Sequence, residues 1–475
     1  MLFSSLEFIF LFLPVCAAIY FLVPLRTKNA VLLLFSLAFY GFGEPIYVFL
    51  MIFTVAIDYI FGALVEKNRY HKRRAKAVLI ISIIFNLGIL AYFKYYSLFA
   101  SVLSAALGTS LPLGTPKSLP IGISFYTFQA MSYVIDVYRG DAKAEQSPLI
   151  LGTYVALFPQ LIAGPIIRYG EIADQLKQRE HSLERVASGI RRFCVGLAKK
   201  CILANAAGEL WSDFCSGLAM GERISTLGAW MALIAFSFQI YFDFSGYSDM
   251  AIGLGRIFGF EFPENFNYPY TAKSITDFWR RWHITLSTWF REYVYIPLGG
   301  NRCTRARMYL NLLIVWSLTG IWHGAALNFL LWGLYYFLLL SIEKAFLLKA
   351  LRRAPALISR IYSLIFIALG WLIFAADGDL LDVTGAITFL GAMLGTRGTP
   401  LTTSGAIYDA LRLLPFFLIM AIAATPIFKK LTDRAAQRTP NITRVTLNAL
   451  SLGALLISTA YLVNSGYNPF LYFRF

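Results

Sequence analysis

Residues 317–342 read SLTGIWHGAALNFLLWGLYYFLLLSI, the larger part of a stretch from Met308 to Ile342 without a single Asp, Glu, Lys or Arg. A helix needs about 20 apolar residues to cross the hydrocarbon core of a bilayer, so this run is long enough to span. It has company: the 475 residues are 58% hydrophobic and only 14% charged, and comparable runs recur along the whole chain. At about 20 residues per span they amount to roughly 11 to 13 hydrophobic segments. The expected fold class is therefore all-α: a polytopic transmembrane protein forming one membrane domain over residues 1–475, with some segments re-entrant or interfacial and no room for a soluble domain.

The start, MLFSSLEFIFLFLPVCAAIYFLVPLRTK, has no Lys or Arg before its apolar run and carries Arg26 and Lys28 after it. That charge order fits a retained first span with its N-terminus outside rather than a cleaved signal. The loop EKNRYHKRRAK holds six Lys or Arg against one Glu, and Lys429, Lys430, Arg434, Arg438 and Arg444 cluster around Asp433. Both loops read as cytoplasmic, which places the start of residues 464–475, a tail ending in NPFLYFRF, on the extracytoplasmic side. The net charge of +16 resides mainly in such loops, so it orients the protein and does not indicate nucleic acid. Residues 170–200 are the most polar region, with apolar positions at helical spacing, and read as an amphipathic helix on the membrane surface. The five cysteines are scattered without metal-ligand spacing, so neither a zinc site nor a disulfide framework is expected.

Two of the four histidines, His71 and His181, lie in hydrophilic stretches where a solvated ring accounts for them. His323 lies in the uncharged run, between Gly320 and Gly324, where an ionisable group is expensive and points to function unless it serves as interhelical glue. His283 lies in KSITDFWRRWHITLSTWFREYVYIPLGGNR, residues 273–302. There Ser274 and Asp277 have capping-box spacing, Asp277 and Arg281 can pair at i,i+4, and Trp279, Trp282, Leu286 and Trp289 or Phe290 share a helical face. A Trp-rich face serves as an interfacial anchor in many proteins; equally, Arg280 and Arg281 beside Trp282 suit the phosphates of an anionic donor. Polar groups inside apolar runs, Asp243 and Gln239 in FSFQIYFDFSGYSDMAIGLG and Gln160 in FPQLIAGPIIRY, read as helix breaks and polar pairs that shape a cavity. Asn328 belongs with them as a polar tunnel position.

DFWRRWHITLSTWFREYVYIPLGGNR followed by GIWHGA, and preceded by YFDFSGYSDMAIGLG and FPQLIAGPI, resembles the bacterial membrane-bound O-acyltransferases, in particular the alginate O-acetyltransferase branch. The resemblance runs over nearly the whole chain. It implies a helical fold with a central funnel or tunnel, entered by an acyl thioester from the cytoplasm and by an acceptor from outside. The family's active-site histidine falls on His323 and its second polar position on His283. It further implies acetyl-CoA as donor, no permanently bound cofactor, and an extracytoplasmic serine hydrolase-like (SGNH) partner in the bacterial inner membrane system that esterifies a cell-surface polysaccharide.

Chemically, His323 is the expected base that takes a hydroxyl proton during attack on the thioester, with His283 orienting it, binding the donor or steadying the oxyanion. No Gly-x-Ser-x-Gly elbow is present. In some systems of the family a C-terminal aromatic motif carries a tyrosine acyl relay, and the matching residue here is Tyr472. Nine residues beyond Val463, it could extend about 30 Å, more than the roughly 15 Å from hydrocarbon edge to midplane. An interfacial aromatic belt explains the same residues. Three rivals stand beside the acetyltransferase: a D-alanyl transferase fed by a carrier protein, a transporter for which His323 and Asp243 would be relay groups, and a non-catalytic assembly subunit.

Overall fold

The structure, a computed structural model, describes residues 1–108, 119–221, 224–396, 398–464 and 470–471. Every regular element among the described residues is helical. Among the described residues, seven helices are long and apolar enough to cross a membrane: Tyr47–Lys67, Lys72–Ser104, Thr226–Ile257, Leu327–Arg353, Ala356–Ala375, Ser404–Ala423 and Pro440–Asn464. Phe8–Leu22 and Val383–Met393 are shorter apolar helices. The protein is a multi-pass all-α membrane protein. Long spans are fewer than apolar segments because several runs break: residues 308–342 turn at Gly324, and the run after Ser147 divides into Pro148–Ala156 and Phe158–Leu161.

The chain divides into two compact units. The first comprises Met1–Leu197 with Tyr247–Glu264, and the second Ala198–Gly246 with Asn265–Leu471 among the described residues. In the first, Phe3, Phe8, Phe12 and Phe158 form an aromatic core, with Phe3 and Phe8 centroids 4.9 Å apart and Phe12 and Phe158 5.4 Å apart. Asp58, buried on the Tyr47–Lys67 span, accepts from Ser82 Oγ at 3.1 Å and Asn86 Nδ2 at 2.8 Å, the partners a polar group needs in hydrocarbon.

The polar region 170–200 folds as two helices, Tyr169–Lys177 and Leu183–Ala198. The second directs Gly189, Phe193, Cys194, Gly196 and Leu197 inward, and a Cβ on Gly189 would sit 2.6 Å from the Gly253 carbonyl. Part of the apolar stripe therefore packs against protein, while Leu183, Ile190 and Val195 remain exposed. Arg192 anchors it, pairing with Asp249 at 2.7 Å and Glu264 at 2.5 Å. His71 is exposed, whereas His181 is half-buried and shares a 2.8 Å hydrogen bond with the Tyr20 hydroxyl.

In the second unit, Arg305–His323 and Leu327–Ile342 form a hairpin. A Cβ on Gly320 would strike the Phe329 carbonyl, and one on Gly333 that of Trp316. Such glycines let helices approach where lipid supplies no hydrophobic force between them. Thr226–Ile257 is the most enclosed span, with 72% of its apolar window buried, against 6% for Ser404–Ala423 and for Pro440–Asn464. Chemistry on Thr226–Ile257 is thus shielded, while the last two spans present side chains such as Leu411 and Leu456 outward.

Candidate active site

His323 is the last residue of its helix, and Gly324 continues in an extended conformation (φ −177°). The imidazole is buried in an aromatic box: ring centroids lie 4.9 Å from Trp322, 5.0 Å from Trp332 and 5.3 Å from Phe374, all edge to face. Asn328 positions one wall, its Nδ2 donating to the carbonyls of Ile373 (3.3 Å) and Phe374 (3.0 Å). It holds the helix that carries Phe374 against the hairpin.

The segment before His283 begins as its spacing requires. Ser274 Oγ accepts from Asp277 N at 3.0 Å, and Arg281 Nε donates to Asp277 Oδ1 at 2.9 Å. The helix is not continuous, however: it runs from Ile275 to Trp279 and resumes at Ile284–Phe290. Between them His283 adopts φ +46°, ψ +53°, a left-handed conformation that costs a non-glycine residue about 1–3 kcal/mol and persists only where surrounding contacts impose it. Trp282, Leu286, Trp289 and Phe290, which share a face in the uninterrupted reading, are all buried. They form core rather than an interfacial anchor.

Asn265 imposes the conformation. Its side-chain oxygen accepts from His283 Nδ1 (3.1 Å), Thr285 N (3.3 Å) and Thr285 Oγ (2.9 Å), while its backbone oxygen accepts from Ile284 N (3.0 Å). A backbone N–H can only donate, so the atom facing Thr285 N is the amide oxygen, and the His283 Nδ1 on that oxygen must carry the proton. Nε2 then presents a lone pair. Burial pushes this imidazole, outside the long apolar spans, down to about 3, so it is neutral at ordinary pH and accepts through Nε2. Phe244 lies edge-on at 4.7 Å, and Trp322 lies 6.3 Å from His283 as well as 4.9 Å from His323. One indole thus adjoins both histidines.

Asp243, the residue before Phe244, is buried with Lys200: Lys200 Nζ is 2.7 Å from Asp243 Oδ1. The other carboxylate oxygen accepts from the backbone N–H of Leu471 at 2.9 Å, and Phe470 and Leu471 are themselves buried. Tyr472 lies outside the described residues. Lys200 sits in a π-helical turn, Lys199–Ala204, a local widening common at functional positions.

The remaining candidates separate. Arg280 lines a cavity of about 350 Å³ with Lys273, Thr276, Asp277 and Arg352. Arg281 turns to Asp277, and Trp282 is a core aromatic whose ring lies 4.8 Å from Trp371. Gln160 belongs to the first unit, where its amide donates to the Tyr154 carbonyl.

Sequence reasoning passes over Asn265, Lys200 and Glu343. Glu343 is buried and accepts from Ile275 N (2.6 Å), Thr276 N (2.8 Å) and Thr276 Oγ (2.6 Å), fixing the start of the segment that leads to His283. Its one visible signal is its place as the first charge after the uncharged run.

The second unit thus brings two buried imidazoles to one indole. The model of the MBOAT family, the membrane-bound O-acyltransferases, matches residues 143–375, a span that contains both histidines. The chain is 41% identical to the probable alginate O-acetylase AlgI of Pseudomonas aeruginosa over 79% of this chain and 72% of that protein. It is 37% identical to the protein of the same name from Pseudomonas putida over the full length of both. The peptidoglycan O-acetyltransferase of Helicobacter pylori is 34% identical over 84% of this chain and 81% of its own. The chain belongs to the membrane-bound O-acyltransferase family and is an O-acyltransferase.

Proposed function

We propose that the protein takes an acetyl group from acetyl-CoA at the cytoplasmic face of a bacterial inner membrane and delivers it outward. Its N-terminus and tail are extracytoplasmic in this reading, and an extracytoplasmic serine hydrolase-like partner completes O-acetylation of a cell-surface polysaccharide such as alginate. The observation that carries the proposal is the pair of buried imidazoles adjoining Trp322, one of them held by Asn265 as an acceptor. His323 takes the proton of the attacking hydroxyl as its oxygen bonds to the thioester carbon; the C–S bond then breaks and the thiolate leaves, recovering the proton. His283, neutral with its N–H committed to Asn265, accepts a hydrogen bond through Nε2 and orients the hydroxyl. The same tautomer makes it unsuited to donating to an oxyanion.

Lys273, Arg280 and Arg352 around their cavity supply cationic groups for donor phosphates. Tyr472 follows Leu471, whose main chain rests on Asp243, and is the proposed first acyl acceptor. The test supplies purified protein with radiolabelled acetyl-CoA and, separately, an acylated carrier protein. Thiol release from acetyl-CoA with an acetyl ester mapped to Tyr472 is expected. Turnover with the carrier protein alone overturns the donor assignment, and full partner acetylation by Tyr472→Phe overturns the relay.

A further inference from the structure

Lys28 is buried in the first unit, yet its ammonium makes no ion pair and no hydrogen bond among the described residues. It lies over the rings of Tyr20 (4.5 Å) and Phe21 (5.3 Å). A second buried cation adjoins the same tyrosine: Arg179 Nε donates to the Tyr20 hydroxyl at 3.2 Å, and its guanidinium lies 4.4 Å over Phe260. Arg179 Nη1 is engaged by Asn29 Oδ1 and the Gln175 carbonyl, while no described residue accepts from Nη2. His181 bonds the same hydroxyl, and burial, with the positive charges of Lys28 and Arg179, holds its imidazole below the ordinary value. Glu261, next in sequence to Phe260, is taken up by Arg185 and Arg256.

Two buried like charges without a carboxylate are costly, and cation–π contacts offset only part of that cost. The backbone adds to the positive potential. Lys28 lies in the first turn of Leu25–Gly43, a helix with no acidic residue in that turn and no side-chain cap, where unpaired N–H groups and the helix dipole attract anions. We infer that Lys28 and Arg179, with the N-terminal turn of Leu25–Gly43, form a binding site for a phosphate group. Phosphate is favoured over a single carboxylate because its charge can match two cations and its several oxygens can meet an ammonium and a guanidinium together. Such a group is available from an anionic phospholipid headgroup or from a soluble phosphate compound.

The test measures thermal unfolding of delipidated full-length protein with phosphatidylglycerol, with phosphatidylcholine, or with sodium pyrophosphate against sodium chloride of equal ionic strength, and counts lipid adducts by native mass spectrometry. Lys28→Met is the informative variant, because Lys28 makes no hydrogen bond whose loss would disturb the fold. Saturating anion is expected to raise the wild-type unfolding temperature by about 2–4 °C. Lys28→Met is expected to unfold higher than wild type without anion, a buried like charge having been removed, and to lose the response to anion. A response to phosphatidylglycerol alone assigns the site to a lipid headgroup. A response to pyrophosphate alone assigns it to a soluble phosphate, and a response to both to the phosphate group itself. No wild-type response to either probe, or an undiminished response in Lys28→Met, overturns the inference.

Discussion

His323 and His283 are both buried beside Trp322, but they are held there by different physics. His323 ends an ordinary helix and is enclosed by Trp322, Trp332 and Phe374, so shape and helix geometry place it. His283 occupies a left-handed backbone conformation that its own preferences oppose, and the polar contacts of Asn265, eighteen residues away, impose it. The first arrangement is built of aromatic contacts. The other depends on a few hydrogen bonds, whose loss frees both the backbone and the tautomer.

The widest separation is expected from removing the rings. His323→Ala should lower acyl transfer by about 10²–10⁴-fold, the usual contribution of a positioned general base, with thermal unfolding in detergent little changed. Transfer within tenfold of wild type would remove His323 from the chemistry. Asp243→Ala should act first on stability: it removes the carboxylate 2.7 Å from the buried Lys200 ammonium, and breaking a buried pair costs about 3–5 kcal/mol. Adding Lys200→Met should recover much of the loss. Hydrogen exchange at the Leu471 amide should speed up in both variants, and unchanged protection would show that the contact with Asp243 does not hold the tail.

Asn265→Ala sharpens the contrast between the histidines directly. Losing an acceptor for buried donors costs about 1–3 kcal/mol, or roughly 5- to 150-fold if felt in the transition state. It should therefore impair turnover more than donor binding, whereas Phe374→Leu beside His323 should have the milder effect. The smallest change is expected at Asp277→Asn. The Asp277–Arg281 pair is about one-third exposed, and an i,i+4 pair of this kind contributes about 0.3–0.5 kcal/mol. A large loss of activity there would mean that Arg281, released from Asp277, interferes with the cavity lined by Arg280.

Much of this architecture is legible along the chain. The cap at Ser274 and the Asp277–Arg281 pair are local patterns and occur as their spacing implies, whereas the uncharged run containing His323 is helical but turns at Gly324. The interruption at residues 280–283 is not legible, because the amphipathic spacing of Trp279, Trp282 and Leu286 fits a continuous helix. Lys200 is equally misleading: it ends a basic, surface-like stretch, yet a carboxylate 43 residues later takes it into the interior. His181 likewise reads as solvated and is instead bonded to Tyr20.

Composition and periodicity were sufficient for the membrane class, the helical fold and the candidacy of His323, because the scarcity of charge in hydrocarbon is written into the apolar runs. The tautomer of His283, the burial of Lys200 with Asp243 and the anchoring of Leu471 required the folded molecule. Each joins groups distant in sequence, and a hydrogen bond or ion pair between such groups leaves no periodic trace in the chain that forms it.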